Sequence, residues 1–128
     1  MKEIFDSVSI RCSRLTTNAY STSFSIGILC LEKELRDPIY AIYGFVRFAD
    51  EIVDSFHDFD KAALLKRFRS ETYQSIDEGI SLNPILNSFQ DTVIRFRIER
   101  KLIEQFLTSM EMDLSTKDYD QNKFQKYI

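Results

Sequence analysis

Apolar residues recur along this chain three and four positions apart, the spacing that gathers them on one face of a helix. Ile4, Phe5, Val8, Cys12 and Leu15 form a first stripe. Phe24, Ile28, Leu31 and Leu35 form a second, behind a hydroxyl cap at Ser21 or Ser23. In the third, Asp37-Pro38 reads as a side-chain cap followed by proline at the first helical position. Ile39, Ile42, Phe45, Val46, Ala49, Ile52 and Val53 then carry that helix from Pro38 to about Ser55. Leu64, Leu65, Phe68, Ile76 and Ile80 mark a fourth helix closing near Gly79, and Asn83-Pro84 opens a fifth through Ile85, Leu86, Phe89, Val93 and Phe96. Ile98, Leu102, Phe106, Met110 and Leu114 give a sixth, and Phe124 to Ile128 begins a seventh. With only three glycines and two prolines in 128 residues, a turn-rich β fold is excluded. The pattern predicts an all-α fold of six to seven helices in a single helical domain over residues 1–128.

Composition sharpens this picture in a few places. Eleven Phe and six Tyr, within 44% hydrophobic residues, are enough for a real core, so disorder is excluded. A net charge of −3 gives no reason to invoke nucleic acid. No apolar run approaches the ~20 residues of a membrane span, and the N-terminus has no signal-peptide pattern. Cys12 and Cys30 lack CxxC spacing and read as reduced core residues of a cytoplasmic protein, whose membrane contact is at most peripheral.

The chemistry concentrates in Asp50-Glu51-Ile52-Val53-Asp54. Asp50 and Asp54 are an i,i+4 pair in the last two turns of the third helix, where like charges repel and the negative end of the macrodipole disfavours both. From Asp50 to Asp60 there are five acids and no Lys or Arg. Such a broken local rule points to a site for a divalent cation. Oxygen-only ligands favour Mg²⁺, or Mn²⁺, and Mg²⁺ is commonly shared between carboxylates and substrate phosphates. Tyr43 and Arg47 share the stripe with Asp50 and Asp54. Arg47 suits a diphosphate, the alternative being an ion pair with Asp50 or Glu51. A solvated acidic helix end is the competing reading of the whole cluster.

The run Tyr20-Ser21-Thr22-Ser23-Phe24-Ser25, followed by Ala41-Ile42-Tyr43-Gly44-Phe45-Val46-Arg47-Phe48-Ala49-Asp50-Glu51-Ile52-Val53-Asp54, resembles the N-terminal half of the phytoene/squalene synthase family. There a Tyr-Ser-x-Ser-Phe segment precedes a helix reading Ala-hydrophobic-Tyr-x-x-x-Arg-x-x-Asp-x-x-x-Asp, and both blocks match in order and spacing. The resemblance implies part of an isoprenoid-synthase-type helical bundle and a prenyltransferase that joins two C15 or C20 isoprenyl diphosphates head to head in squalene-type or carotenoid biosynthesis. By the same resemblance, Asp50 and Asp54 hold Mg²⁺ against the diphosphate, and Arg47 and Tyr43 contact the diphosphate or the developing cation. Ser21, Ser23 and Phe24 line the substrate pocket. Nothing in these residues specifies NADPH. Head-to-tail elongation and terpene cyclisation also use aspartate-rich motifs, but the Tyr-Ser-x-Ser-Phe block does not belong to their pattern.

The family carries a second aspartate-rich motif, preceded by a Tyr-x-Tyr-x-Val-Ala-Gly helix, and neither is found here. Asp113, Asp118 and Asp120 are poor substitutes by context. The chain is therefore expected to be an N-terminal portion of a larger domain, inactive alone, with an uncovered apolar face that either pairs with another copy or leaves the chain unstable in solution. A non-catalytic binding or assembly protein keeping the same fold is the alternative. His57 reads as a surface loop residue. Arg95, Arg97, Arg100 and Lys101 read as a solvated helix junction, with anionic lipid as the alternative, and Lys66, Arg67 and Arg69 as solvated positions.

Overall fold

A computed structural model of the chain describes the backbone of residues 1–126 and the side chains of residues 1–116. It contains α1 (Lys2–Tyr20), α2 (Thr22–Leu29), α3 (Lys33–Asp54), α4 (Lys61–Glu78), α5 (Pro84–Phe96) and α6 (Arg100–Lys126). No strand occurs among the described residues. The caps expected at Ser21, Gly79 and Asn83 are all in place. The Ser21 hydroxyl accepts from the Phe24 N–H at 3.1 Å. Asn83 Oδ1 accepts from Ile85 and Leu86 at 3.0 and 3.3 Å. Gly79 ends α4 at φ +73°, a left-handed conformation that glycine adopts without a Cβ clash.

Helix α3 is the spine, packed on every other helix. Its inner face meets α4, α5 and α6 in a core built around Phe45, which is 2% exposed. The Phe45 ring lies parallel to that of Phe89 at 3.8 Å and beside those of Phe68 at 5.3 Å and Phe106 at 5.6 Å. Val53, Leu65, Leu86 and Leu107 close the same cluster.

Four expectations need correction. First, α3 begins at Lys33 and runs through Pro38. Inside a helix, proline forfeits the bond its missing N–H would have made to the Glu34 carbonyl and its ring crowds that carbonyl, and burial of the ring offsets part of the cost. Asp37 pairs with Arg14 at 3.3 Å instead of capping. Second, α2 ends at Leu29, so Leu31 and Leu35 do not extend it. The Arg36 guanidinium binds the Leu29 and Leu31 carbonyls at 3.1 Å each, which ends α2 and fixes the turn into α3. Third, α6 is continuous from Arg100 to Lys126, so no seventh helix starts at Phe124; Tyr127 and Ile128 lie outside the described residues. Fourth, neither cysteine is fully buried: Cys12 is half-buried and Cys30 exposed.

A larger reversal concerns α1. Most of its apolar stripe faces outward, with Ile4 65% and Leu15 69% exposed and Phe5 and Cys12 half-buried, while Ser9, Ser13 and Thr17 are completely buried. These small residues, four apart, let α1 approach α3 and α5 closely. Opposite Ser13 stands Gly44, where a Cβ would lie 3.3 Å from the Ser13 Oγ. The Ser9 and Thr17 hydroxyls satisfy themselves on the carbonyls of Phe5 and Ser13, each at 2.9 Å. From α5, the buried Asn87 donates to Asp6 at 2.9 Å and to Ser9 at 3.1 Å.

Arg69 also departs from expectation. It is 23% exposed and ion-paired to α6 through Glu111 at 2.8 Å and through Glu104. The Tyr73 hydroxyl donates to Glu104 as well, and the Arg100 guanidinium lies 4.6 Å over its ring. Burial, and then this hydrogen bond, push the Tyr73 phenol up to about 12. A raised pKa means that the folded chain favours the protonated phenol. Its contribution is therefore present in full below about pH 10 and disappears as pH rises through the folded value. Tyr73→Phe is expected to cost roughly 1 kcal/mol at pH 8, through loss of the hydrogen bond to Glu104. The gap to wild type in urea unfolding should close as pH approaches 12.

Candidate functional site

Residues four apart on α3 stand above one another, so Tyr43, Arg47 and Glu51 form a ladder, with Asp50 and Asp54 beside it. The Tyr43 ring stacks on Phe24 of α2 at 4.9 Å and 29°. This contact ties the Tyr-Ser-x-Ser-Phe block to the acidic helix. The expected substrate-pocket residues Ser21, Ser23 and Phe24 line one open groove of about 480 Å³ with Gly27, Ile28, Leu31 and Ile39. Phe24 is 43% exposed in its wall. The Ser21 hydroxyl is engaged as the α2 cap, while Ser23 is exposed.

Arg47 takes the alternative partner named from the sequence, Glu51, through Nη2 at 3.5 Å. Its guanidinium also lies 4.7 Å over the ring of Tyr20, the last residue of α1. Hydrogen bonds from the Ser55 and Tyr20 hydroxyls hold the Glu51 carboxyl below its ordinary range. The same contact with Glu51 raises the Tyr20 phenol. Arg47 Nε is buried without a hydrogen-bond partner, and so is Glu51 Oε2. Tyr20 lay in the matched block without an assigned role. Its placement under Arg47 depends on the α1–α3 crossing, which no local signal encodes.

Asp50 is half-buried and Asp54 exposed, both at the end of α3. Among the described residues, no group of three or more His, Cys, Asp or Glu is arranged to hold a metal ion. The pair nonetheless suits a hard cation that takes its remaining oxygens from a ligand and water, as Mg²⁺ does with phosphates. Asp113 is an exposed residue of α6, and the side chains of Asp118 and Asp120 lie outside the described residues. His57 is exposed, as expected, with Nδ1 3.0 Å from Lys61 Nζ. Lys61 in turn donates to the Val53 carbonyl at 2.9 Å and helps to close the end of α3. Arg95 and Arg100 pair with Asp91 at 3.7 Å and Asp77 at 2.9 Å on exposed surface, in keeping with a solvated junction. Beside the ladder, between α3 and α4, a cleft of about 400 Å³ is walled by Phe48, Ile52, Phe56, Leu64 and Phe68, with Tyr20 and Glu51 also in its lining. No helix among the described residues is long and apolar enough to cross a membrane.

Comparison with known proteins adds a separate line of support. The chain is 29% identical over 118 residues to a chloroplastic phytoene synthase of an Oncidium hybrid, covering 85% of this chain and 26% of that protein. It is 27% identical over 112 residues to the phytoene synthase of Arthrospira platensis, covering 88% and 36%. It is 28% identical over 97 residues to the presqualene diphosphate synthase of Rhodopseudomonas palustris, covering 75% and 34%. The chain thus spans about a quarter to a third of the length of these relatives. No solved structure matches it significantly. Residues 17–128 match the family described as Squalene/phytoene synthase, and with both sequence blocks brought together at Tyr43 and Phe24, the chain belongs to that family.

Proposed function

We propose that this chain is the part of a head-to-head prenyltransferase that binds the diphosphate of a C15 or C20 isoprenyl substrate. The observation that carries this reading is the alignment of Tyr43, Arg47, Asp50 and Asp54 along one side of α3, with Tyr43 stacked on Phe24 in the wall of the groove that Ser21 and Ser23 also line. Asp50 and Asp54 would hold Mg²⁺ or Mn²⁺, which when bound supplies positive charge to a departing diphosphate. Arg47 adds a fixed cation to the same charge. The stacked Tyr43 and Phe24 offer π-electron density to an allylic cation, and the groove supplies apolar surface that limits water around it. Such an ionisation needs charge on both sides of the diphosphate. With one aspartate pair, the chain alone should bind the substrate without converting it.

The test is titration calorimetry of the chain with Mg²⁺ and geranylgeranyl or farnesyl diphosphate, with organic extracts assayed for C30 and C40 product. Binding is expected in wild type, weakened roughly 10–100-fold by Asp50→Asn or Asp54→Asn, as for loss of a charged contact, with no product from any of them. Absence of Mg²⁺-dependent binding in wild type would leave the other reading, a non-catalytic helical protein that keeps the fold for binding or assembly. That reading draws on the exposed apolar residues of α1 and α2, among them Ile4, Leu15, Ile26 and Leu29.

A further inference from the structure

We propose that Glu51 and Tyr20 are positioning residues for Arg47, forming a clamp that fixes its guanidinium for an anionic ligand. This deepens the diphosphate reading and rests on it. Glu51 follows Arg47 by one turn on α3, while Tyr20 reaches it from the end of α1, so the clamp joins two helices. Glu51 is anchored independently of the arginine by the Ser55 hydroxyl, which donates to its Oε1. The arginine is held more loosely. Its contact with Glu51 runs through one nitrogen at 3.5 Å, longer than the roughly 2.7–2.9 Å of a charge-assisted hydrogen bond.

Two polar atoms in this contact remain unsatisfied. Arg47 Nε and Glu51 Oε2 are both shut away from solvent without a hydrogen bond. A buried donor without an acceptor is unfavourable, and arginine has five N–H groups to satisfy. The clamp therefore orients the guanidinium without saturating it. Tyr20 restricts one face of the guanidinium plane and Glu51 one of its nitrogens, which leaves donors for an anion and lowers the ordering cost when one binds. Tyr20 is 51% exposed, so its replacement should leave the core intact.

The experiment uses the chain labelled with ¹⁵N, inorganic pyrophosphate with Mg²⁺ as the probe, and the variants Tyr20→Ala, Tyr20→Phe and Glu51→Gln. Two quantities are read: pyrophosphate affinity, and solvent exchange of the Arg47 Hε proton without ligand. Tyr20→Ala and Glu51→Gln are each expected to weaken pyrophosphate about tenfold and to speed Hε exchange. Tyr20→Phe, which keeps the ring, should restore most of the affinity lost in Tyr20→Ala. Charge alone predicts the opposite for Glu51→Gln, because removing a carboxylate near the site favours an anion. Tighter binding by Glu51→Gln therefore overturns the clamp, as does Hε exchange that none of the variants changes. Wild type that binds no pyrophosphate, with Hε exchange still dependent on Tyr20 and Glu51, overturns the diphosphate reading and the ligand-directed role of the clamp together.

Discussion

Phe45→Ala is expected to destabilise the chain by about 3–5 kcal/mol, the range for truncating a buried aromatic. Phe45 sits where α3, α4, α5 and α6 meet and is almost completely buried. Its ring contacts those of Phe68, Phe89 and Phe106, so truncation removes favourable aromatic geometry together with buried area. The cavity cannot refill easily, because its walls belong to four helices already fixed by other contacts. Against a total stability of about 5–15 kcal/mol for a small domain, that loss leaves a marginal fold. Urea unfolding should show the midpoint falling steeply. Ile94→Ala, at a position 53% exposed, should shift stability by less than about 0.5 kcal/mol. Similar midpoints for the two variants would mean that the aromatic cluster is not the centre of the core.

The second large effect is expected at Gly44. Gly44→Leu should cost at least about 2 kcal/mol, since overpacking a tight contact outweighs the roughly 1 kcal/mol of helix propensity gained over glycine. A Cβ there lies 3.3 Å from the Ser13 Oγ and 3.4 Å from the Ile85 Cδ1, so a longer side chain has no space without moving α1 or α5. Gly44→Ala tests the balance more finely. Propensity and crowding nearly cancel there, and stability should stay within about 1 kcal/mol of wild type. Equal stability of the leucine variant and wild type would show that α1 does not pack here as described.

How much of this was legible in the sequence depends on the range of the interaction. The caps at Ser21, Gly79 and Asn83 are contacts between close neighbours, so local residue type was sufficient to find them. The apolar spacing of α3 and α5 identified faces that really are buried, down to Phe45, Ile52, Leu86 and Phe89. The same reasoning failed on α1, because it assumes that the buried face is the most hydrophobic one. Ser9, Ser13 and Thr17 are buried because they are small, and Ser9 and Thr17 satisfy their hydroxyls on their own helix, while the Ser13 hydroxyl facing Gly44 has no hydrogen-bond partner; hydrophobicity does not record size. Pro38 misled for a related reason, since proline marks a helix start by preference and is also tolerated inside one.

At the candidate site, the polar stripe of Tyr43, Arg47, Asp50 and Asp54 followed from helical spacing and needed no tertiary information. The Arg47–Glu51 pair was within reach of the same spacing. The stacking of Phe24 on Tyr43 and the placement of Tyr20 under Arg47 were not, because each joins helices whose relative position is fixed elsewhere. The Arg69 bonds to Glu104 and Glu111 were hidden in the same way, with partners 35 and 42 residues away.

The hydroxyl-lined seam of α1 has a consequence for how the molecule tolerates deformation. A helix docked through large apolar side chains can slide or tilt a little while keeping most of its contacts. One docked through small side chains at close range, as Ser13 is against Gly44, depends on dispersion attraction that decays steeply with separation, so a small gap forfeits much of it at once. The α1–α3 spacing is thus stiff, with a sharp threshold beyond which the helix lets go. Because Tyr20 is the last residue of α1, the stiffness set at Ser13 and Gly44 is transmitted along the helix to the floor under Arg47.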